Sequence, residues 1–557
     1  MALPDRFKHP YDFDPKYQKA IAYFSMEFAI DQPLKTYSGG LGFLAGSHMR
    51  SAYELKQNMV GIGILWKYGY YDQTRKGDQS MDVLFQEKIF RFLEDTEIQF
   101  EIELNKHPVW VKAYYLSPEI FGTVPMFFLS TDLPENDYLG QTTSHKLYDS
   151  DPAGKAAQSI LLGIGGAKLL DLLEHETEIY HFNEAHALSA AFYLYNKNKD
   201  LEALRKQLVF TTHTPEEAGN EKHDIRLLES LGFFCGVPLE EVRKITGIED
   251  DVFNHSLVAL RLSSIANAVS QKHGAVSKEI WNKYDNICPI ISITNAQNKK
   301  YWADPELYHT IETEDNDLFL KRKHFLKQEL FDLVADQTGQ LFDKNVLTIV
   351  WARRYAEYKR PGLITYDKER FHRLFSSTKY PLQIIWAGKP YPTDYSAISA
   401  FNSLVYLSKT YRNVAVLVGY ELQLSRMLKR GSDIWLNNPR VPREASGTSG
   451  MTAAMNGSVN FSTYDGWIPE FSKHKINSFV VPQADLSSPN HEQDQFDLEN
   501  MLDILENEII PIYYDQPEQW TEIAQNSMMD VIPYFDSDRM AYQYYEKIYN
   551  YEPVISR

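Results

Sequence analysis

Short apolar runs that end in glycine or polar residues recur along this chain, and that recurrence limits the fold it can adopt. Residues 19–30, KAIAYFSMEFAI, read as a buried strand. Tyr37-Ser38-Gly39-Gly40-Leu41-Gly42 then turns into a helix running through 47–55. Strand, glycine-rich turn and helix form the first unit of a doubly wound sheet, whose ligand side lies at the C-terminal ends of its strands. The run 59–66 reads as the next strand. Segments within 81–130 (DVLFQ, IQFEIEL, HPVWVKAYYL, VPMFFL) alternate apolar and polar residues and read as antiparallel insertions. Residues 159–173 read as an amphipathic helix. Strands are expected at 178–182, 207–212, 266–270 and 288–294; Asn183-Glu184-Ala185-His186 follows the first, His213-Thr214 the second and Asn295 the last.

A second series places strands at 346–351, 382–387, 413–418, 433–436 and 457–461. Arg353, Arg354, Lys359 and Arg360 follow the first of these, Gly388-Lys389 the second and Tyr420 the third. Alternating βα units predict mostly parallel sheets. The expected division is an N-terminal Rossmann-like domain with β insertions over 1–297, a helical connection over 298–345, a second Rossmann-like domain over 346–490, and C-terminal helices over 491–557 that pack back on the first domain.

The 557 residues are 43% hydrophobic, enough for more than one core. A net charge of −18 argues against a nucleic-acid partner, so any anion site must be local. Cys235 and Cys288 are the only cysteines, which excludes a disulfide framework and a cysteine-based zinc site. The first residues, MALPDRFKHPYDFDPKYQKA, lack the apolar core of a signal peptide, and no apolar run reaches membrane-spanning length. A cytoplasmic protein without a membrane partner is expected.

Residues 439–469 carry the chemistry. Glu444-Ala445-Ser446-Gly447-Thr448-Ser449-Gly450-Met451 is small and polar, and 451–455 reads as the first turns of a helix. The leading N–H groups of a helix are unpaired and its dipole is positive there, so such a junction attracts anions. Glu444 beside it offers a carboxylate to hydroxyl groups. A carboxylate next to an anion hole suits a sugar phosphate. Arg353, Arg354 and Lys359 supply three cations within seven residues, suited to a phosphate. Asn183, His186, His213 and Asn295 have the hydrogen-bonding groups that sugar hydroxyls need. HExxH, Walker A and GxSxG sequences are absent, so hydrolase and nucleoside-triphosphatase readings find no support.

YFSMEF (23–28), YSGGLGFLAGSH (37–48), GIGILWKYGYYDQ (61–73), HFNEAHA (181–187), TTHTPEEAG (211–219), ARRYAEYKR (352–360), AGKPYP (387–392), DIWLNNPRVPREASGTSGM (433–451) and NGSVNFSTYDGW (456–467) stand in one order along the chain. By these stretches the chain resembles the α-glucan (glycogen, maltodextrin) phosphorylase family in its short bacterial form. The resemblance implies an α/β fold of two Rossmann-like doubly wound domains facing a cleft, the GT-B glycosyltransferase fold. It also implies retaining phosphorolysis of an α-1,4-glucan or maltodextrin to glucose 1-phosphate, with pyridoxal phosphate as cofactor and a homodimer as a weak expectation. On this resemblance Arg354 and Lys359 would hold the substrate phosphate. Arg353, Thr448 and Ser449 would hold the cofactor phosphate, with Tyr420 near its ring. Glu444 and the backbone of Ser446 and Gly447 would hold glucose hydroxyls, and His213 and Asn295 would reach the 6-hydroxyl. Gly40 and Leu41 would bring backbone close to the phosphates.

Ala296, Asn298, Glu216-Glu217 and Asn220 depart from the family's usual residues, and one further position departs more deeply. The family's motif reads SGMKAALNG or GNMKFMLNG, and the lysine forms an imine with pyridoxal phosphate. This chain reads Ser449-Gly450-Met451-Thr452-Ala453-Ala454-Met455-Asn456-Gly457. Thr452 has no amine, so the cofactor is expected either to be held without a bond at this position or to be absent. Lys429 and Lys473 are the nearest lysines in sequence. Two alternatives stay open. One is a cofactor-independent retaining glycosyltransferase using a sugar nucleotide. Such enzymes often carry a second glutamate eight residues after the first, and Thr452 stands there. The other is a non-catalytic glucan-binding or regulatory relative.

Overall fold

The structure, a computed structural model, describes residues 3–552. They form two compact units, one of 3–70, 85–298 and 537–552, the other of 71–84 and 299–536. Both are α/β units built on a large sheet. Among the described residues no helix is long and apolar enough to cross a membrane.

The first unit holds a nine-stranded sheet. Its strands are β1 (Ile21–Phe24), β2 (Met59–Ile64), β3 (Glu94–Leu104), β4 (His107–Leu116), β5 (Met126–Ser130), β6 (Ile179–Asn183), β7 (Leu208–Thr211), β8 (Ile265–Ala268) and β9 (Ile290–Ser292). Their order is β9-β8-β7-β6-β1-β2-β5-β4-β3. The run VPMFFL corrects the sequence reading. It is not an antiparallel insertion alone, because β5 pairs in parallel with β2 on one side and antiparallel with β4 on the other. All five of its residues are buried, as a strand inside a sheet requires. Seven neighbouring strands, from β9 to β5, are therefore paired in parallel, and the order grows outward in both directions from β1 and β6. The helix Gly40–Glu54 follows β1, as the glycine-rich turn predicted. The segment 19–30 is strand only over its first part. At Ser25 the chain leaves the sheet, and the Ser25 hydroxyl donates to the Glu27 carbonyl at 2.8 Å. The terminal helix Ser537–Tyr544 packs on the Gly40 helix, with Ser51 Oγ and Ser537 Oγ 2.6 Å apart.

The second unit holds six parallel strands, β10 (Leu347–Ala352), β11 (Leu382–Ala387), β12 (Val414–Leu417), β13 (Ile434–Asn437), β14 (Val459–Thr463) and β15 (Ser478–Val481). Their order is β12-β11-β10-β13-β14-β15. β10 and β11 are buried along their whole length, which explains why they read as continuous apolar runs. The strand β15 was not foreseen; its four residues are too short a signal beside the loop that precedes them. The chain reverses its direction of growth between β10 and β13. That is a topological switch point, where doubly wound sheets bind ligands beyond the strand C-termini.

Three segments join this unit from outside the expected 346–490, namely 71–84, 299–345 and 491–536, so of the expected C-terminal helices only the described residues from 537 onward belong to the first unit. The hairpin Asp72–Arg75 and Met81–Leu84 is antiparallel. Gln73 fixes it, donating to the Gly388 carbonyl at 2.9 Å and accepting from the Gly419 N–H at 3.1 Å. The helix Asn316–Thr338, read as part of a connection, is anchored here by two buried lysines. Lys327 pairs with Asp433 at 2.6 Å. Lys323 donates to the carbonyls of Arg430 at 2.8 Å, Ser432 at 3.1 Å and Asn456 at 2.9 Å. One ammonium thus clasps the ends of the helices Leu422–Gly431 and Thr448–Ala454. Lys323→Met would leave three carbonyls without that donor. It is expected to destabilise the second unit by about 3 kcal/mol or more, read as a lower thermal midpoint of that unit by circular dichroism.

Candidate functional site

In the second unit the switch point gathers charge. Arg353 follows β10 directly, and its N–H donates to the Ala387 carbonyl at the end of β11 at 3.3 Å. Its guanidinium lies 3.4 Å from Glu444 through Nη1 and donates to Ser449 Oγ at 3.3 Å through Nη2. Lys359 Nζ donates to the same Glu444 carboxylate. Glu444 is held from behind, its N–H donating to Asp465 at 2.8 Å. All three charged side chains are buried. Burial alone would raise the Glu444 carboxyl, but Lys359, Arg353 and the nearby Arg354 outweigh it and keep it below the usual carboxylate range. Arg353, Arg354 and Lys359 outnumber the carboxylates of Glu444 and Asp465, so the cluster keeps a positive excess suited to an anion.

Glycines allow the approach. Gly447 caps the helix Thr448–Ala454 with φ of 90°, a left-handed conformation that a side chain would strain. A Cβ on Gly450 would lie 2.5 Å from Asn460 Oδ1. Ser446 Oγ and Arg353 Nε are buried, and neither meets a partner among the described residues. Unsatisfied buried donors beside cations fit a ligand that accepts hydrogen bonds.

The same residues test the pyridoxal phosphate that the resemblance implies. Arg353 and Ser449 have the donor chemistry for its phosphate. Tyr420 is buried, with its hydroxyl 3.2 Å from Ser425 Oγ and 3.4 Å from the Ala352 carbonyl. Thr452 does not fit a covalent anchor: it is buried, and its hydroxyl donates to the Ser449 carbonyl at 3.0 Å, within its own helix.

In the first unit the switch point is built from groups of another kind. Asn183 ends β6. It donates through Nδ2 to Ser25 Oγ beyond β1 at 3.1 Å, and its Oδ1 lies 2.7 Å from His213 Nε2. Burial drives the His213 imidazole down to about 3, so it is neutral. His186 Nδ1 and Asn295 Oδ1 are buried without a partner among the described residues. Burial also lowers the His186 ring. Gly40 and Leu41 open the helix after β1. The N–H groups of Ser38 and Gly39 before them donate to the Glu27 carboxylate at 2.7 and 3.0 Å. The candidate residues therefore fall into two sets, Gly40, Leu41, Asn183, His186, His213 and Asn295 in the first unit and the others in the second.

Glu184 escaped the sequence reading. It sits inside the Asn183–His186 stretch with φ of 67°, rare for a residue other than glycine. Its carboxylate accepts the His213 N–H and the Thr214 hydroxyl, the latter at 3.2 Å. Burial pushes its carboxyl up to about 7. A folded-state value above the unfolded one gives stability that is complete below about 4 and is lost as pH rises through 7. Glu184→Gln is therefore expected to raise the thermal midpoint relative to wild type more at pH 8 than at pH 5. The difference is at most about 3 kcal/mol, and melts at the two pH values read it.

Residues 265–478 match the family model described as carbohydrate phosphorylase. The chain is 46% identical over 532 residues to an uncharacterized protein of Methanocaldococcus jannaschii, covering 95% of this chain and all of that one. It is 32% identical over 595 residues to the maltodextrin phosphorylase of Thermococcus litoralis, covering 96% of this chain and 71% of the relative. It is 29% identical over 616 residues to the glycogen phosphorylase of Aquifex aeolicus, covering 97% and 87%. With a doubly wound switch point lined by buried cations and a relative 32% identical aligned over most of both chains, the chain belongs to the carbohydrate phosphorylase family.

Proposed function

We propose that this chain is an α-glucan phosphorylase, a retaining glucosyltransferase that moves the terminal glucosyl group of an α-1,4-glucan to phosphate and yields glucose 1-phosphate. The observation that carries the reading is the buried cluster of Arg353, Lys359 and Glu444 at the second unit's switch point. Lys359 and Arg354 bind the attacking phosphate. Arg353 and Ser449, with Thr448, would hold the phosphate of pyridoxal phosphate, and Tyr420 would pack near its ring. When bound, that cofactor supplies a phosphate able to exchange a proton with the substrate phosphate. Glu444 and the backbone of Ser446 and Gly447 orient the glucose. Asn183, His186, His213 and Asn295 are neutral hydrogen-bonding groups for sugar hydroxyls. On this reading the residues contribute by positioning and by charge preorganised around the developing glucosyl cation.

The direct test is phosphate-dependent release of glucose 1-phosphate from maltodextrin by the purified protein, with and without added pyridoxal phosphate. Release in either condition supports the reading. No release in both, together with turnover of a sugar nucleotide, overturns it. Lys359→Met is expected to lower kcat/KM for phosphate by about 10²-fold, measured in the same assay.

A further inference from the structure

The cofactor position in the second unit has lost its lysine at residue 452, yet a buried amine stands beside the same helix. Lys429 lies on the helix Leu422–Gly431, one turn after Ser425 and on the same face. The helix Thr448–Ala454 carries Ser449, and Thr452 one turn later. The two helices are bridged at both ends. At the near end the Tyr420 hydroxyl meets Ser425 Oγ and the Ala352 carbonyl, and Arg353, which follows Ala352, donates to Ser449. At the far end Lys323 clasps the carbonyls of Arg430 and Asn456. There Asn456 Nδ2 donates to the Thr452 carbonyl at 2.7 Å and to the Trp302 carbonyl at 3.1 Å. Lys429 Nζ lies 3.9 Å from the centroid of the Trp302 ring. Trp302 thus meets the Lys429 amine through its ring and is joined to the Thr452 carbonyl by Asn456 through its own carbonyl.

We propose that Lys429 is the amine that binds the aldehyde of pyridoxal phosphate in this chain, from the neighbouring helix, in place of residue 452. This rests on the phosphorylase reading of the site. The Lys429 side chain is 1% exposed. Burial drives its ammonium well below the ordinary lysine range, with the Arg426 charge adding to the effect. A desolvated lysine carries the free electron pair that addition to a carbonyl needs. The nitrogen adds to the aldehyde carbon, its two hydrogens leave with the aldehyde oxygen as water, and a carbon–nitrogen double bond remains. Nothing is oxidised or reduced. Amine chemistry thus stands against the Trp302 ring, and phosphate chemistry at the Arg353–Ser449 pair.

The test incubates the full chain with pyridoxal phosphate at neutral pH, reduces with borohydride, digests, and maps the modified lysine by mass spectrometry. The expected result is a near-stoichiometric phosphopyridoxyl group on Lys429 and a visible absorbance band before reduction. Lys429→Arg keeps a long polar side chain over Trp302 but no nucleophilic amine, and should lose both signals. Lys429→Met, with circular dichroism on both variants, separates loss of the amine from loss of the fold. A wild-type chain labelled only on other lysines overturns the proposal. The double variant Lys429→Arg, Thr452→Lys tells the two readings apart. If it is labelled at position 452 while wild type is unlabelled at 429, the cofactor pocket stands and Lys429 is a structural cation. If neither is labelled, the cofactor reading of the pocket falls with the proposal.

Discussion

The second unit is arranged around one buried carboxylate shared by two cations. Removing Glu444, Lys359 and Arg353 from water costs several kcal/mol per ion, and pairing offsets that only where geometry is good and the remaining polar atoms are satisfied. The surrounding structure supplies the geometry. β10 ends where Arg353 must begin, Asp465 holds the Glu444 backbone, and Gly447 turns the chain in a conformation other residues avoid. The Lys323 clasp fixes the far end of the helix that begins at Thr448. Charge held in place before substrate arrives need not be reorganised during reaction, which is where such sites gain their catalytic effect.

The first unit meets the same topological problem with different chemistry. Its switch point between β1 and β6 presents Asn183, a neutral His213 and a carboxyl whose proton is held to near neutrality. These groups donate and accept without strong charge. They suit hydroxyl-rich ligands, whereas the cationic cluster suits phosphate. Each half of the proposed reaction thus finds its chemistry in one of the two sheets, at the strand ends where the topology puts it.

Much of this was legible in the sequence. The βα alternation gave both doubly wound sheets, because strands buried on both faces read as apolar runs and their polar ends stand out. The Glu444–Met451 stretch and the Arg353–Lys359 run marked the charged site for the same reason. What escaped depended on long-range packing. The VPMFFL run looks the same whether its neighbours are parallel or antiparallel. The hairpin at 72–84 joins the second unit through Gln73, Arg75 and Tyr71, which no local pattern announces. Lys429 reads as an ordinary helix-surface lysine until the fold places it against Trp302, and Glu184 is disguised by its position in a turn.

The account rests on the cations at the switch point serving an anion rather than merely neutralising Glu444. Calorimetric titration with inorganic phosphate, comparing wild type with Glu444→Gln, separates these. If phosphate is the intended partner, wild type binds it saturably, and Glu444→Gln frees Lys359 for it and tightens binding by about tenfold or 1.4 kcal/mol. If the cations serve only the carboxylate, neither protein shows saturable phosphate binding, and the account of the site is wrong.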